Sequence, residues 1–189
     1  MDMKKILVAI CAVWAMSSCD DEKDFYNEMH ATIANPLTWE MVDNQLQIDV
    51  EIPQYITDLD TQKNIHLKAS TQATALVFPF AIERQITADQ WELVEQPNLT
   101  QVAGSTQLYP ESGLYLATAT EVNAFDFGSY VYQAKTQLPA GSYRVNFAPN
   151  EINKTKATFT TVSAGTELTF ILQANLPNLE NGYSYFTID

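Results

Sequence analysis

The chain has 189 residues, with 23 acidic and 10 basic side chains and a formal net charge of −13. An acidic protein repels phosphates instead of releasing counterions from them, so nucleic acid is not an expected partner. Both cysteines, Cys11 and Cys19, lie within the first 19 residues. The rest of the chain therefore has no disulfide and no thiol for catalysis, and its length suits one domain with a proper core.

The N-terminus has the three parts of a secretory signal peptide. Lys4 and Lys5 form a basic start, Ile6–Met16 is an apolar run, and two serines precede Cys19. The run is 11 residues long, too short for a membrane span, which needs about 20 apolar residues. We expect residues 1–18 to be removed as a signal peptide.

The sequence Met16-Ser17-Ser18-Cys19 resembles a bacterial lipobox. The resemblance implies that Cys19 becomes the lipidated first residue of the mature protein, held to the membrane by several acyl chains. The alternative is an ordinary small residue after a type I cleavage site. Processing before Cys19 leaves 171 residues (189 − 18) and a net charge of −14, because Asp2, Lys4 and Lys5 are lost and 22 acidic and 8 basic residues remain.

An acidic run, Asp20–Asp24, follows the cysteine and resembles the export signal of surface lipoproteins in Bacteroidota. That resemblance implies a surface-exposed outer-membrane lipoprotein of the cell envelope; a periplasm-facing position is the alternative, and so is retention in the inner membrane, which an Asp at this position implies in enteric bacteria. A third reading is a solvated tether with no sorting role, since like charges extend a chain. We expect residues 19–35 to be a lipidated tether and residues 36–189 to be a single domain.

Period-two alternation dominates the domain and predicts half-buried strands. The clearest strand places Leu46, Ile48, Val50 and Ile52 on one face. Ile65, Leu67 and Ala69 continue the pattern, and so does the stretch Leu76–Ile82. Pro79 lies inside that stretch and lacks a backbone N–H, which predicts an edge strand or a bulge.

The one helix signal is Thr87–Glu95. Thr87 and Gln90 match a capping box, Asp89 lies in the first turn, and Pro97 prevents continuation. We therefore expect a single short helix here.

Glycine-containing turns separate strand-like runs in the second half of the chain. About nine strands are expected, which indicates an all-β fold: an antiparallel β-sandwich, Ig-like or transthyretin-like, with one short helix. The stretch Leu138–Phe147 is similar to hairpins in transthyretin-like and carboxypeptidase-regulatory-like sandwich domains.

The residues of catalytic chemistry do not form a convincing set. Because His30 falls in the expected tether, a His-based site would depend on His66. His66 is expected to be exposed on a strand. The carboxylate pairs that glycoside hydrolysis would need are Asp58 with Asp60, Glu92 with Glu95, and Glu121 with Asp126. Asp58, Asp60 and Asn64 also offer calcium ligands in one loop, although the glycine and terminal glutamate of an EF-hand are missing. Apart from that calcium, no cofactor is expected, and the chain is not expected to be an enzyme.

Aromatic side chains are the candidate binding residues. Tyr130 with Tyr132, and Tyr183 with Tyr185, each place two rings on one side of a strand. Outward-facing rings would form a stacking platform for sugar or a contact patch for a protein, whereas inward-facing rings would be core. The same two alternatives, binding residue or core residue, apply to Trp91.

These observations favour a lipid-anchored accessory protein of the cell envelope that acts by binding a glycan or another envelope protein. One alternative is a structural or assembly subunit of a larger uptake, secretion, pilus or motility complex, docking through edge strands such as the one that holds Pro79. Another is a small hydrolase that uses a carboxylate pair.

Overall fold

The computed structural model describes residues 28–33, 36–95, 97–122, 128–149, 151, 154–173 and 176–189. The expected signal peptide, Cys19 and the acidic run lie outside these residues. The fold is all-β with one short helix: 66% of the described residues are in strands and 5% are helical, in a curled mixed sheet. Within the described residues, no helix has the length and apolar character needed to cross a membrane.

Sixteen described strands build the sheet. The first eight are β1 Glu28–Thr32, β2 Leu37–Val42, β3 Gln45–Pro53, β4 Tyr55–Asp58, β5 Asn64–His66, β6 Ala73–Thr87, β7 Gln90–Leu93 and β8 Thr100–Ala103. The other eight are β9 Ser105–Tyr109, β10 Leu114–Val122, β11 Ser129–Thr136, β12 Gly141–Asn146, β13 Lys156–Ser163, β14 Thr169–Gln173, β15 Leu179–Glu180 and β16 Tyr183–Ile188. Helix α1 is Leu67–Thr71, and a 3-10 turn covers Pro110–Ser112.

The main path of strands runs β2-β3-β11-β10-β6-β13-β14-β1-β4-β5. A second group, β7-β6-β12-β16-β15, shares strand β6 with it; we call this group the second sheet. All described pairs are antiparallel except β1 with β14, where Glu28 lies opposite Thr169 in a parallel pair. The sheet is thus mixed instead of purely antiparallel, and the Ig-like or transthyretin-like subtype stays a prediction.

Strand β6 can belong to both sheets because its partner changes halfway along one side. Strand β13 pairs with β6 as far as Val77, and β12 begins to pair at Ala81. Pro79 lies between these two points and faces Leu116 of β10 on the other side. Proline has no backbone N–H, and Pro79 lies in the gap between the residues of β6 that pair with β13 and those that pair with β12, where no ladder hydrogen bond is required on that side. The edge-strand alternative is therefore wrong: β6 is central, and it cannot be a docking edge. The strand does have irregular register, but away from Pro79: between Ala73 and Ala75 against β13 and between Gln85 and Thr87 against β7.

Strands β8 and β9 enter the sheet as one bent segment between β10 and β11. Strand β8 pairs with β11 and β9 pairs with β10, whereas the other end of β10 pairs with β11 directly. The bend is at Gly104, which has φ +76°. A Cβ atom there would lie 2.2 Å from the carbonyl oxygen of Thr118, so only glycine fits this approach.

The core lies inside the curl and is rich in aromatic rings. Phe78 on β6 is fully buried, and its ring centroid lies 5.4 Å from that of Tyr132 and 5.1 Å from that of Phe159. The Trp39 indole N–H donates to Ser184 Oγ at 2.8 Å, and this hydrogen bond joins β2 to β16. The predicted alternation of Leu46, Ile48, Val50 and Ile52 is confirmed, since all four are at most 1% exposed.

Three element predictions are wrong. Leu67 and Ala69 were expected to continue the strand of Ile65 but lie in helix α1, after β5 ends at His66. Glu28–Thr32 lies in the expected tether but forms β1 between β14 and β4, so the domain begins earlier than residue 36. The expected helix Thr87–Glu95 is instead a hairpin in which Gln90–Leu93 pairs with the end of β6. Pairing with β6 supplies the backbone bonds that a helix would otherwise make, which overrides the local capping signal.

The one short α-helix is α1, directly after β5. His66 is its N-cap residue, and the backbone N–H of Ala69 donates to His66 Nδ1 at 3.2 Å. The imidazole also packs edge-on against Tyr55, with ring centroids 4.4 Å apart. His66, the last residue of β5, is therefore a half-buried capping residue, whereas the sequence predicted an exposed one.

Candidate ligand-binding site

The outer face of the second sheet brings together side chains from four strands. Backbone pairing places Arg144 of β12 between Glu83 of β6 and Tyr185 of β16. The neighbouring row pairs Gln85 of β6 with Trp91 of β7. Since residues two apart on a strand share a face, these positions form one polar and aromatic surface opposite the core.

Arg144 is the centre of this surface. Its Nε donates to Glu83 Oε2 at 2.5 Å, and its guanidinium carbon lies 4.5 Å from the Trp91 ring centroid and 3.7 Å from the Tyr183 ring centroid. A guanidinium stacked on aromatic faces and paired with a carboxylate is held in one orientation. Arg144 therefore fixes the positions of the rings around it.

A groove of about 560 Å³ opens beside this cluster. Two aromatic rings, Trp91 and Tyr185, form part of its wall, with centroids 5.6 Å apart and planes at 70°. The other lining side chains are mostly amides and hydroxyls: Gln85, Ser142, Asn178 and Thr187, together with Phe186. Two of the sequence-predicted binding residues thus meet in one groove, although they are 94 positions apart in the chain.

Tyr183 lies next to the groove but does not line it. Arg144 covers one region of its ring, and the Lys154 ammonium lies 5.3 Å from the same ring centroid. Its ring centroid is 6.4 Å from that of Tyr185. Tyr183 therefore supports Arg144 and Tyr185 instead of contacting a ligand in the groove.

For Tyr130 and Tyr132 the ligand-binding alternative is wrong and the core alternative is confirmed, because both are fully buried. The Tyr130 hydroxyl donates to the carbonyl of Ala73 at 3.1 Å, and the Tyr132 hydroxyl shares a 2.7 Å hydrogen bond with Thr106 Oγ1. Burial raises the pKa of both tyrosines, to about 12 for Tyr130. Each hydroxyl keeps its partner inside the core, as buried polar groups require.

These pKa shifts predict an alkaline limit to stability. An unfolded tyrosine loses its proton near pH 10, whereas Tyr130 does so at about 12 in the fold. The folded-state pKa is the higher one, so the stabilisation is complete below pH 10 and falls as the pH rises from 10 towards 12. Urea unfolding at several alkaline pH values should show a smaller loss of the free energy of unfolding in Tyr130→Phe than in the parent chain. If the free energy of unfolding falls equally steeply with pH in the two proteins, this assignment is contradicted.

Two of the three proposed calcium ligands, Asp58 and Asn64, form hydrogen bonds within the protein through their side-chain oxygens. Asp58 Oδ1 accepts from the backbone N–H of Asp60 at 3.0 Å, and Asp58 Oδ2 accepts from Thr61 Oγ1 at 2.5 Å. The hydrogen bonds from the Thr61 hydroxyl and then the Asp60 N–H lower the pKa of Asp58. Asn64 Oδ1 accepts from Thr57 Oγ1 at 2.9 Å. These oxygens organise the β4–β5 turn, and across the ranges that the structure describes no group of three or more His, Cys, Asp or Glu could hold a metal.

The candidate catalytic carboxylates occupy separate places. Glu121 forms an ion pair with Lys68, whose Nζ lies 2.7 Å from Oε1, and it also accepts from Gln54 at 2.6 Å. Its suggested partner, Asp126, lies outside the described residues. Glu92 is exposed on β7, where it accepts from Gln90, and Glu95 is exposed beyond the end of that strand.

Arg144, Glu83, Gln85 and Asn178 are site residues that sequence reasoning missed. Arg144 occupies an alternating polar position between the buried residues Tyr143 and Val145, which signals an outward-facing side chain. Only the strand register shows that aromatic rings lie on both sides of it.

No protein-family model matches this chain, and no curated protein matches it significantly.

Proposed function

We propose that this protein binds glycans through the groove between Trp91 and Tyr185, as a lipid-anchored accessory protein of the cell envelope. The observation that carries the proposal is the composition of the groove: three aromatic residues, Trp91, Tyr185 and Phe186, beside two amides and two hydroxyls. Apolar ring faces with a few polar groups that fix orientation are the usual composition of a small-molecule site. Sugars match it, because their C–H faces pack on aromatic rings and their hydroxyls pair with amides.

The angle between the two rings limits which ligand shapes fit the groove. Trp91 and Tyr185 meet at 70°, so they form a corner instead of a flat platform. A corner holds one sugar ring against one aromatic face while the second aromatic ring contacts its edge. This geometry supports binding of a chain end or a curved chain over a flat ribbon of sugars.

Charge also supports an uncharged sugar at this groove. The guanidinium beside it is already paired with Glu83 at 2.5 Å, so it is not available as a free counter-charge. The whole chain carries a net charge of −13, which disfavours anionic ligands away from a local cation.

The envelope location rests on the sequence of the N-terminus. If Cys19 is the lipidated residue, eight residues separate it from Glu28, where β1 begins. Fully extended, such a segment spans about 26 Å at roughly 3.3 Å per residue. The binding domain would then remain close to the membrane surface. Mass spectrometry of the mature N-terminus tests this, and an unacylated start would remove the anchor from the proposal.

The groove is tested by replacing its rings. We expect Trp91→Ala and Tyr185→Ala each to weaken glycan binding about tenfold or more, because buried aromatic anchors dominate such contacts. Affinity electrophoresis across a panel of polysaccharides, followed by calorimetry on those that retard the parent protein, gives the measurement.

Tyr109→Ala is the matched control. Tyr109 is 39% exposed on β9 and is not part of the groove, so its loss should leave binding unchanged. Unaltered mobility of the parent chain on every glycan, or equal losses in Tyr185→Ala and Tyr109→Ala, would contradict the proposal.

A second candidate function is assembly into a larger envelope complex. Its supporting observation is that β2, β5, β7 and β15 each have a single partner strand within the described sheet. Such edges can accept a strand from another chain. Cross-linking on intact membranes distinguishes the two functions, since recovery without a stoichiometric protein partner would remove the assembly candidate.

A further inference from the structure

A second groove, of about 490 Å³, lies near the meeting point of β8, β11 and the loop that precedes β12. Its lining is polar and contains one cation. The residues are Gln45, Asn98, Thr100, Lys135, Thr136, Gln137, Leu138 and Pro139. No aromatic ring lines it, so its chemistry differs from that of the groove at Trp91.

Lys135 is the distinctive residue of this second groove. It is half-buried, and within the described residues no carboxylate lies within ion-pairing distance of its ammonium. By contrast, Lys68 is paired with Glu121, and Arg144 is paired with Glu83. An ammonium on a half-buried side chain, with no carboxylate among the described residues to pair with it, is suited to an anionic ligand.

The neighbouring carboxylate is already occupied. Asp49 shares the sheet face with Lys135, since Gln47 lies opposite Lys135 and Asp49 lies opposite Gln133. Asp49 Oδ2 accepts from Gln47 at 2.6 Å, and Asp49 Oδ1 accepts from Gln133 at 2.5 Å. Both oxygens are thus held by amides, which leaves the ammonium of Lys135 for the groove.

The two grooves have lining residues that are close together in the chain. Pro139 lines the second groove and Ser142 lines the first. These two residues are three peptide bonds apart, so their Cα atoms are separated by about 11 Å at most. Arg84 Nη2 donates to the carbonyl of Ala140 at 3.0 Å between them, which fixes the connecting loop. This short separation is compatible with one oligosaccharide that contacts both grooves.

We infer that Lys135 recognises a carboxylate-bearing sugar of the same glycan whose neutral ring packs at Trp91 and Tyr185. This inference rests on the proposed function and names the substrate class: a glycan that contains uronic acid residues. Lys135 provides the charge, and the amides of Gln45, Asn98 and Gln137 provide hydrogen bonds to hydroxyls. This local cation offsets the repulsion between an acidic glycan and an acidic protein.

The test uses tetrasaccharides from pectate, alginate and hyaluronan, each beside its methyl ester, which has the same shape without the charge. Calorimetry on the full chain should show that Lys135→Gln weakens binding of the best acidic tetrasaccharide about tenfold, the loss expected for a charge-assisted hydrogen bond. The ester should bind the parent chain and Lys135→Gln equally well. Trp91→Ala should weaken binding of both forms.

Lys63→Gln is the matched control, because it changes the net charge equally at an exposed position on the β4–β5 turn. Equal effects of Lys135→Gln and Lys63→Gln, or an equal loss for acid and ester, would overturn the inference. If neutral glycans bind in a Trp91-dependent manner while Lys135→Gln has no effect on the acidic ones, the inference fails and the proposed function stands. If no glycan binds at all, both fall.

Discussion

Replacing Gly104 with alanine is expected to lower the free energy of unfolding by more than about 4 kcal/mol, among the largest losses seen for a single substitution. Two effects combine. The residue has φ +76°, a left-handed conformation that costs a residue with a Cβ about 1–2 kcal/mol. The new Cβ would also lie 2.2 Å from the carbonyl oxygen of Thr118, closer than van der Waals contact allows.

The carbonyl of Thr118 cannot easily move away. Thr118 lies on β10, opposite Ser105 of β9 on one side and Val77 of β6 on the other. A shift that relieves the clash must disturb one of these ladders, and both enclose the aromatic core. Urea unfolding followed by circular dichroism gives the measurement, with an unchanged m-value as the sign of an intact fold.

Gly113→Ala separates the two effects. Gly113 has a similar φ of +67°, but a Cβ there would have no atom within 4 Å. It should lose only the conformational cost of about 1–2 kcal/mol. Equal losses at Gly104 and Gly113 would show that the approach to Thr118 does not constrain the fold.

Residue alternation predicted the strands whose character is local. Strand β3 is the clearest case, because Leu46 and its neighbours bury one face and leave the polar face outward. Each such strand shows its two faces in its own sequence. The all-β class follows from the number of these strands, and it is confirmed.

Elements whose partners lie far away in the chain were missed. Strand β1 alternates over only two apolar residues, Met29 and Ala31, too short a pattern to distinguish it from a tether, yet Glu28 pairs with Thr169 across 141 positions. The hairpin at Gln90 was predicted as a helix, because a capping signal is local and the pairing with β6 is not. Non-local pairing supplies hydrogen bonds that no short window of sequence can show.

The candidate site was predicted in part for the same reason. Trp91 and Tyr185 were named from their residue types, but so were Tyr130 and Tyr132, which lie in the core. Periodicity shows that two rings share a face and does not show which face is covered. Whether a face is covered depends on the neighbouring strands, and Arg144 joins the site only because β12 lies between β6 and β16.

Strand β6 gives the second large prediction, because both sheets depend on it. We expect Phe78→Ala to lower the free energy of unfolding by about 3–5 kcal/mol, the range for removing a fully buried ring. Its ring contacts those of Tyr132 and Phe159. Truncation to alanine therefore removes both contacts and leaves a cavity beside these two rings. Urea unfolding of the purified chain is the measurement.

Ile86→Ala is the control on the same strand. Ile86 is 51% exposed, and surface substitutions of this kind change stability by about 0.5 kcal/mol or less. A loss at Ile86 comparable to that at Phe78 would contradict the burial difference between the two ends of β6.

Phe78→Ala also tests whether the two sheets unfold together. Strand β6 pairs with β10 and β13 in the main path and with β12 and β7 in the second sheet. A loss at Phe78 should therefore also destabilise the groove at Trp91, although the two residues lie on different sheets. Circular dichroism and tryptophan fluorescence should give one coincident transition in the parent chain, shifted as a unit in Phe78→Ala. Two separated transitions would show that the second sheet, and with it the binding groove, folds independently of the aromatic core.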